Sequence, residues 1–302
     1  MNKNELDDVI STYGDNIKIN YDLKKNSWFN IGGKAEVFYK ADNLPDLIKL
    51  IHTLNNKKKI FVLGAGSNTL ISDNLFRGVV IKLNNNFGNI SLLDEDIIIA
   101  GASALDSSLS KFAIDHELSG FEFLSCIPGT VGGGIKMNAG CFGREIKDIL
   151  LSIQVLDHFG NVRTIMKKDI NFSYRSNNLP DDLIFLSASF KGIKGKKKDI
   201  EKLTNYLKTK KEKNQPTRVK TCGSTFKNPI KQTNKKVWEL IQYSIPQQKC
   251  IGGACISEKH RNFLINKNNA SFKDMKNLIE YIEKTVFKKT GIKIEKEIKI
   301  LE

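Results

Sequence analysis

The chain reads as an α+β protein of two domains, and three observations predict it. The strand at 60–63 and its glycine loop lead into another strand, not into the helix of a doubly wound fold. Residues 154–166 alternate about a Gly160-Asn161 turn, the mark of an antiparallel hairpin. The composition shifts at 192–198, "GIKGKKK", where a larger N-terminal part gives way to a smaller C-terminal one. With 302 residues the chain is long enough to bury two separate cores.

Taken in order, a helix at 4–13 sets Leu6, Val9, Ile10 and Tyr13 on one face and stops at Gly14. A turn at Gly32 and Gly33 introduces a strand at 37–40. The next helix opens near Asn43, tolerates Pro45 in its first turn and turns Leu47, Ile48, Ile51 and Leu54 inward. Strands follow at 60–63, 81–83 and 97–100, then a helix at 105–118 built on Leu109, Phe112 and Ala113, the hairpin, and a strand at 183–190. Past the linker, a helix carrying Ile200, Leu203 and Leu207 inward ends before Pro216. The C-terminal part holds a helix around 237–241 and a strand pair at 255–257 and 263–266. A long helix follows, opened by the capping box of Ser271 and Asp274 and stopped at Gly291. The segment "IKIEKEIKI", 292–300, alternates as a terminal strand, with Ile292, Ile294, Ile298 and Ile300 on one face and Glu295 and Glu297 on the other.

Composition narrows the function. A hydrophobic share of 40% with 27% charged residues is that of a globular chain, and no apolar run approaches a bilayer's width. The acidic opening "MNKNELDDVI" lacks an apolar leader, which predicts a cytoplasmic protein without a membrane partner. Five cysteines, Cys126, Cys141, Cys222, Cys250 and Cys255, form no CxxC pair, and their odd number predicts reduced thiols, not a disulfide framework. The net charge of +15 is spread over scattered lysines without interleaved aromatics or a nucleic-acid-binding motif. It suits phosphate-bearing small ligands better than nucleic acid. His260 has no second ligand at a three- or four-residue spacing, so no metal site is expected.

Two glycine-rich stretches point to a dinucleotide. "GAGSN" (Gly64, Ala65, Gly66, Ser67, Asn68) follows a strand, but Thr69 stands where a third glycine of the Rossmann fingerprint belongs, which excludes that fold. "IPGTVGGGIKMNAGCFG" packs Gly129, Gly132, Gly133, Gly134, Gly140 and Gly143 near Thr130 and Asn138. Glycine at this density is entropically costly unless a backbone must approach something closely. Two such loops suit a ligand with two phosphates, such as flavin adenine dinucleotide in a non-Rossmann α+β domain.

The segments "NIGGKAEVF", "VLGAGSNTLISD", "FLSCIPGTVGGGIKMNAGCFG", "FSYR", "GSTFKNP", "IGGACISEKHRNFLIN" and "IEKEIKIL" occur in one order from Asn26 onward. In that order they resemble the UDP-N-acetylenolpyruvoylglucosamine reductase family. The resemblance implies an FAD-binding domain of the vanillyl-alcohol-oxidase (PCMH) type, in two α+β subdomains, over 27–192. It further implies a lead-in at 1–26, a linker at 193–204 and a smaller α+β substrate domain at 205–302. The short segment between Arg175 and Ser224 places the chain with members that lack an inserted tyrosine-bearing loop. Three positions depart from the family pattern: Asn177 replaces a usual serine, Cys222 a common glycine, and Arg261 a small residue.

The resemblance also implies FAD and NADPH as cofactors and a nucleotide-sugar enol ether as the small-molecule substrate of a monomer. Its product would be UDP-N-acetylmuramate for the bacterial cell wall. Flavin contacts would come from Gly64, Ala65, Gly66, Ser67, Asn68, Pro128, Gly129, Thr130, Val131, Gly132, Asn138 and Gly140. Substrate contacts would come from Tyr174, Arg175, Lys227, Asn228 and His260. Hydride addition to C3 builds charge at C2 and the carboxylate. Arg175 can fork onto that carboxylate, and a neutral Glu297 can donate a hydrogen bond to the developing charge. Ser224, outside any nucleophile elbow and without a triad histidine, is then the proton donor to C2. The rival readings are another FAD-dependent sugar or alcohol oxidoreductase of the same fold, and a basic nucleic-acid-binding module.

Overall fold

The computed structural model describes residues 13–54 and 58–302, so the helix expected at 4–13 lies outside the described residues apart from Tyr13. The chain divides into two units. One takes the chain up to Tyr21, Ala35–Ala65 and Arg77–Lys210; the other takes Asp22–Lys34, Gly66–Phe76 and Lys211–Glu302.

The first unit is built on two larger sheets. Four strands run in the order Ile17–Asp22, Lys34–Ala41, Phe76–Leu83, Lys59–Val62, the last two parallel. Helix α1 (Leu44–Leu54) buries Leu47, Leu50 and Ile51 with Val37, Tyr39, Val79 and Ile81 of the strands. Its start is fixed as its sequence suggests: Pro45 needs no N–H partner in the first turn, and the Asn43 side chain accepts from the Asp46 amide at 2.9 Å.

The second sheet has five antiparallel strands, in the order Val162–Met166, Leu150–Leu156, Ile184–Lys191, Ile97–Gly101, Ile90–Asp94. Helices α2 (Asp106–Asp115) and α3 (Val131–Lys136) share a core with it through Leu109, Ala113, Val131, Ile135, Ile153 and Phe190. Two sheets, each with helical cover, are the two α+β subdomains of the FAD-binding part.

Helix α3 was not foreseen, because three of its six residues are glycines, the poorest helix formers after proline. Tertiary contacts override the propensity. A Cβ on Gly132 would lie 3.1 Å from Ala102, and one on Gly134 only 2.6 Å from Ile146, so only glycine lets the turn pack this closely. The linker expected at 193–204 is ordered structure as well. Ile193–Lys194 pairs antiparallel with Leu118–Ser119, and α4 (Lys197–Asn214) begins three residues later. Its glycines serve packing: a Cβ on Gly192 would meet Leu118 at 2.9 Å. On α4, Ile200 and Thr204 are buried, whereas Leu203, expected inside, is 44% exposed.

The second unit is organised around α5 (Val237–Ser244) and α6 (Phe272–Thr290), whose Leu240, Ile241, Leu278 and Ile282 pack with Phe29, Ile31, Leu70 and Phe226. The foreseen capping box is present: the Ser271 hydroxyl accepts from the Asp274 amide at 3.1 Å, and the Asp274 carboxylate accepts from the Ser271 amide at 3.0 Å. Gly291 ends α6 with φ of 69°, a left-handed cap that glycine adopts without steric cost. Strands Cys250–Ile251, Ala254–Ile256 and Leu264–Asn266 form a small sheet.

Two expectations are corrected here. The terminal strand does not run through 292–300; only Lys299–Leu301 pairs as a strand, parallel to Thr69–Ile71. The interruption has a cause: the amides of Glu297 and Ile298 both point at one acceptor, the Thr225 carbonyl, at 2.8 and 3.4 Å, which breaks the alternation of a regular ladder. The cysteines are not all thiols, since Cys250 and Cys255 form a disulfide. Register explains it, because they are direct cross-strand partners across the Gly252-Gly253 turn. Cys126, Cys141 and Cys222 take no part in the disulfide.

Among the described residues no helix is long and apolar enough to cross a membrane. The segment 22–34 is tied to 66–76 at Gly33, whose amide donates to the Ser72 carbonyl at 2.6 Å. A Cβ on Gly33 would lie 2.2 Å from the Asp73 carbonyl oxygen, a backbone atom that cannot swing aside. Gly33→Ala is therefore expected to destabilise the protein by about 1–3 kcal/mol. Thermal denaturation checks this, and an unchanged midpoint would contradict the packing described.

Candidate functional site

In the first unit the two glycine stretches meet. The strand Lys59–Val62 runs into Leu63, whose amide donates to the Ile81 carbonyl at 2.8 Å, and then into Gly64. A Cβ on Gly64 would lie 2.7 Å from the Thr130 Oγ1, so glycine is required where the first loop passes the second. Such a cradle, which a Cβ would fill and which backbone and one hydroxyl line, fits a phosphate-bearing ligand.

Thr130 also caps α3, its hydroxyl accepting from the Gly133 amide at 3.4 Å. The amides of Val131, Gly132 and Gly134 are already taken, by the carbonyls of Ala104 (2.8 Å), Ala102 (2.9 Å) and Thr130 (2.8 Å). Thr130 is the residue of this stretch that faces Gly64, and Pro128 is exposed two residues before it. Val131 is fully buried and Gly132 packs on Ala102, so both act as scaffold.

Asn138 and Gly140 do their work inside the protein. Asn138 is fully buried; its amide donates to Glu145 (3.0 Å) and to the Ser173 carbonyl (3.1 Å), and its oxygen accepts from the Lys147 amide (3.1 Å). Gly140 lies against the opposite strand of its hairpin, where a Cβ would sit 2.4 Å from the Arg144 carbonyl oxygen. Its own carbonyl accepts from the Arg175 guanidinium at 3.0 Å.

Arg175 is accordingly well fixed. Its guanidinium stacks over the Tyr174 ring at 4.9 Å and lies 3.9 Å from the Glu145 carboxylate, and its backbone adopts a left-handed φ of 57°. Glu145 thus orients both Asn138 and Arg175, and sequence reasoning missed it. Its only signal was an acidic residue on the hairpin that leaves the second glycine stretch. Asn177, the first departure from the family pattern, is buried with its side chain bonded to the Ile135 carbonyl and the Leu179 amide.

In the second unit, residues 66–68 of the first loop are clamped by the 22–34 segment. The Trp28 amide donates to the Gly66 carbonyl at 3.0 Å, and the Ser27 hydroxyl to the Thr69 carbonyl at 2.7 Å. Gly66 has φ of 70° and no room for a Cβ, the Asn26 carbonyl oxygen lying in the way. Cys222, the second departure, fills the space under this loop. Its thiol lies 3.4 Å from the Thr69 carbonyl and 3.6 Å from that of Gly66, and burial pushes it up to about 11, so it stays a neutral donor.

The same unit brings the backbone segments around Ser224, Asn68 and Glu297 side by side. Ser224 bridges Phe263, and the Thr225 carbonyl beside it accepts from the Glu297 amide at 2.8 Å. The Asn68 side chain donates to the Glu297 carbonyl at 3.2 Å, and the Asn68 carbonyl accepts from the Lys299 amide at 2.9 Å. Glu297 is half-buried, whereas Glu295 is exposed, which separates two carboxylates that the alternating pattern alone left equivalent.

Lys227 is half-buried and its amide donates to the Glu295 carbonyl at 2.8 Å. The Asn228 side-chain oxygen accepts from the Val237 amide at 3.0 Å, opening α5. His260 packs edge-on against Phe263, and burial lowers its proton affinity, so the imidazole is neutral at pH 7. Arg261, the third departure, donates to the Ile245, Pro246 and Gln247 carbonyls and so closes the C-terminal end of α5. Among the described residues no group of three His, Cys, Asp or Glu side chains is placed to hold a metal ion.

Known proteins agree with this layout. Residues 35–166 match the model of an FAD binding domain, which spans both glycine stretches, and residues 215–301 match that of the UDP-N-acetylenolpyruvoylglucosamine reductase C-terminal domain. The UDP-N-acetylenolpyruvoylglucosamine reductase of Pelagibacter ubique is 60% identical over 285 residues, 94% of this chain and 94% of that protein. That of Rickettsia typhi is 45% identical over 282 residues, 93% of this chain and 94% of that protein. The crystal structure of the corresponding reductase from Thermus caldophilus superposes with a TM-score of 0.80 at 29% identity, covering 95% of this chain and 98% of that one. With both domain models in order and relatives matched along nearly their whole length, the chain belongs to the UDP-N-acetylenolpyruvoylglucosamine reductase family.

Proposed function

We propose that this FAD-dependent oxidoreductase uses NADPH to reduce UDP-N-acetylenolpyruvoylglucosamine to UDP-N-acetylmuramate, in the cytoplasm and as a monomer, supplying the cell wall. The observation that carries the reading is the contact of Gly64 with Thr130, which joins the two loops of the FAD-binding domain into one cradle. FAD, when bound, supplies hydride chemistry between NADPH and C3 of the enol ether. The backbones of 64–68 and 128–130 and the Thr130 hydroxyl would hold its diphosphate, with Val131, Gly132, Asn138 and Gly140 shaping the turn from behind.

The remaining roles fall to polar side chains of each unit. Arg175, held by Gly140, Glu145 and Tyr174, meets the substrate carboxylate as a pre-set fork, so little entropy is lost on binding. Glu297, neutral, donates a hydrogen bond to the charge that builds as C3 accepts hydride, and Ser224 gives its proton to C2. One hydride and one proton then saturate the double bond. Lys227, Asn228 and His260 suit the nucleotide-sugar diphosphate, and Asn228 also fixes the start of α5. The same-fold alternative, an oxidase of sugars or alcohols, has no use for a carbon-protonating serine.

Three variants and one control test these roles. Gly64→Ala should weaken FAD binding roughly tenfold or more by crowding the Thr130 hydroxyl, as read by retained flavin absorbance; undiminished retention would remove the cradle. Ser224→Ala should still bleach the flavin with NADPH while reoxidation by the enolpyruvyl substrate slows about a hundredfold or more. Equal loss in both halves would contradict a proton-donor role. Glu297→Gln should lower turnover by about two to three orders of magnitude, while Glu295→Gln leaves it near wild type; the reverse order would exchange the assignments.

A further inference from the structure

At the start of α2 lies a carboxyl group that the reaction does not use. Asp106 is fully buried, and neither of its carboxyl oxygens has a hydrogen-bond partner. An unpaired buried carboxyl is uncommon enough to require an explanation. It lies directly against the second glycine stretch. A Cβ on Gly129 would come 2.8 Å from its Oδ2, and one on Gly134 would come 3.2 Å from its Oδ1. The Asp106 amide donates to the Gly129 carbonyl at 3.0 Å, and the preceding Leu105 bridges Thr130.

No charge answers this group. On α2 itself the other titratable side chains are Lys111 and Asp115, with His116 just past its end. From α3 comes Lys136, which is committed to Asp181 and to the carbonyls of Leu179 and Pro180. The turn Glu122–Cys126 brings Glu122, which accepts from Ser119 and Gly120, and the Cys126 thiol. The turn Ile146–Asp148 brings Lys147, paired with Glu145, and Asp148, paired with Arg144. Burial alone pushes the Asp106 carboxyl up to about 8.

We infer that Asp106 is a positioning residue of the flavin site: as a neutral acid behind the glycine turn it seats Gly129 and Thr130 for a bound diphosphate, and when ionised it drives that diphosphate off. The inference rests on Gly64 and Thr130 forming the diphosphate cradle. An anion on one side of a thin glycine backbone and a carboxylate on the other repel through a medium that screens poorly, whereas a neutral acid leaves the phosphates unopposed. Binding of the dinucleotide therefore favours the protonated form, and affinity falls as pH rises through about 8. The sign is the same for folding of the flavin-free protein. The carboxyl is raised in the folded state, so the stability it contributes is complete below the ordinary carboxylate range and is lost as pH climbs toward 8.

The test measures FAD dissociation constants by flavin fluorescence from pH 6 to pH 9, a window in which the diphosphate charge does not change. Wild type should weaken by about fivefold to tenfold, the loss at pH 9 when FAD raises a proton affinity of about 8 by one unit or more, while Asp106→Asn should show a flat profile. Cys126→Ala, which removes the thiol of the adjoining turn, should keep the wild-type slope. Should Asp106→Asn fold poorly, proton uptake by wild type on FAD addition near pH 8 gives the same answer: a clear fraction of a proton supports the inference and none overturns it. A wild-type profile without slope, or an Asp106→Asn profile with one, also overturns it. A wild type that takes up no FAD at any pH, or a Gly64→Ala variant that binds as tightly as wild type, would instead sink the cradle reading.

Discussion

The closeness of Gly64 to Thr130 constrains most of what surrounds it. For the end of a strand to pass a threonine hydroxyl this narrowly, the first loop must lack a side chain, and the second must be held still. The second loop is held by the α3 cap at Thr130, by amides spent on Ala102 and Ala104, and by glycines that let α3 press against its neighbours. The expense of so many glycines in a helix is met by packing and not by propensity. A further consequence of that tight seat is that the Asp106 carboxyl is shut away from water and from any counter-charge.

A comparable economy governs the second unit. The Thr225 carbonyl takes the Glu297 amide at 2.8 Å, and the Asn68 side chain takes the Glu297 carbonyl at 3.2 Å, so the backbone of one carboxylate residue is pinned from both sides. That pinning is what interrupts the terminal strand. Cys222 contributes a thiol small enough to fit beneath the loop and polar enough to donate to its carbonyls, which suits a cysteine to this position. Arg261 is similarly explained by the three carbonyls it gathers at the end of α5.

Helices with a strong apolar stripe and a defined start, α1 and α6, were legible because period, proline position and capping box agree, as they do in sequences that fold to one structure. The hairpin was legible because its alternation and its Gly160-Asn161 turn agree. What escaped was set by contacts remote in sequence. The lysine-rich stretch at 193–204 looks like a linker until Leu118–Ser119 is seen to pair with it. Cys250 and Cys255 flank Ile-Gly-Gly-Ala, so a tight turn opposing them was readable, but only a search wider than CxxC finds it. Glu145 and Asp106 carry no local mark at all, and their importance comes from what folds against them.

The claim on which the account turns is that the flavin diphosphate rests on the cradle formed by the two loops. A crystal structure of the FAD complex tests it most directly. The account predicts diphosphate oxygens about 3 Å, hydrogen-bond distance, from backbone amides of the 64–68 loop and from Thr130. A diphosphate bound elsewhere, with Gly64 and Thr130 facing solvent, would contradict it.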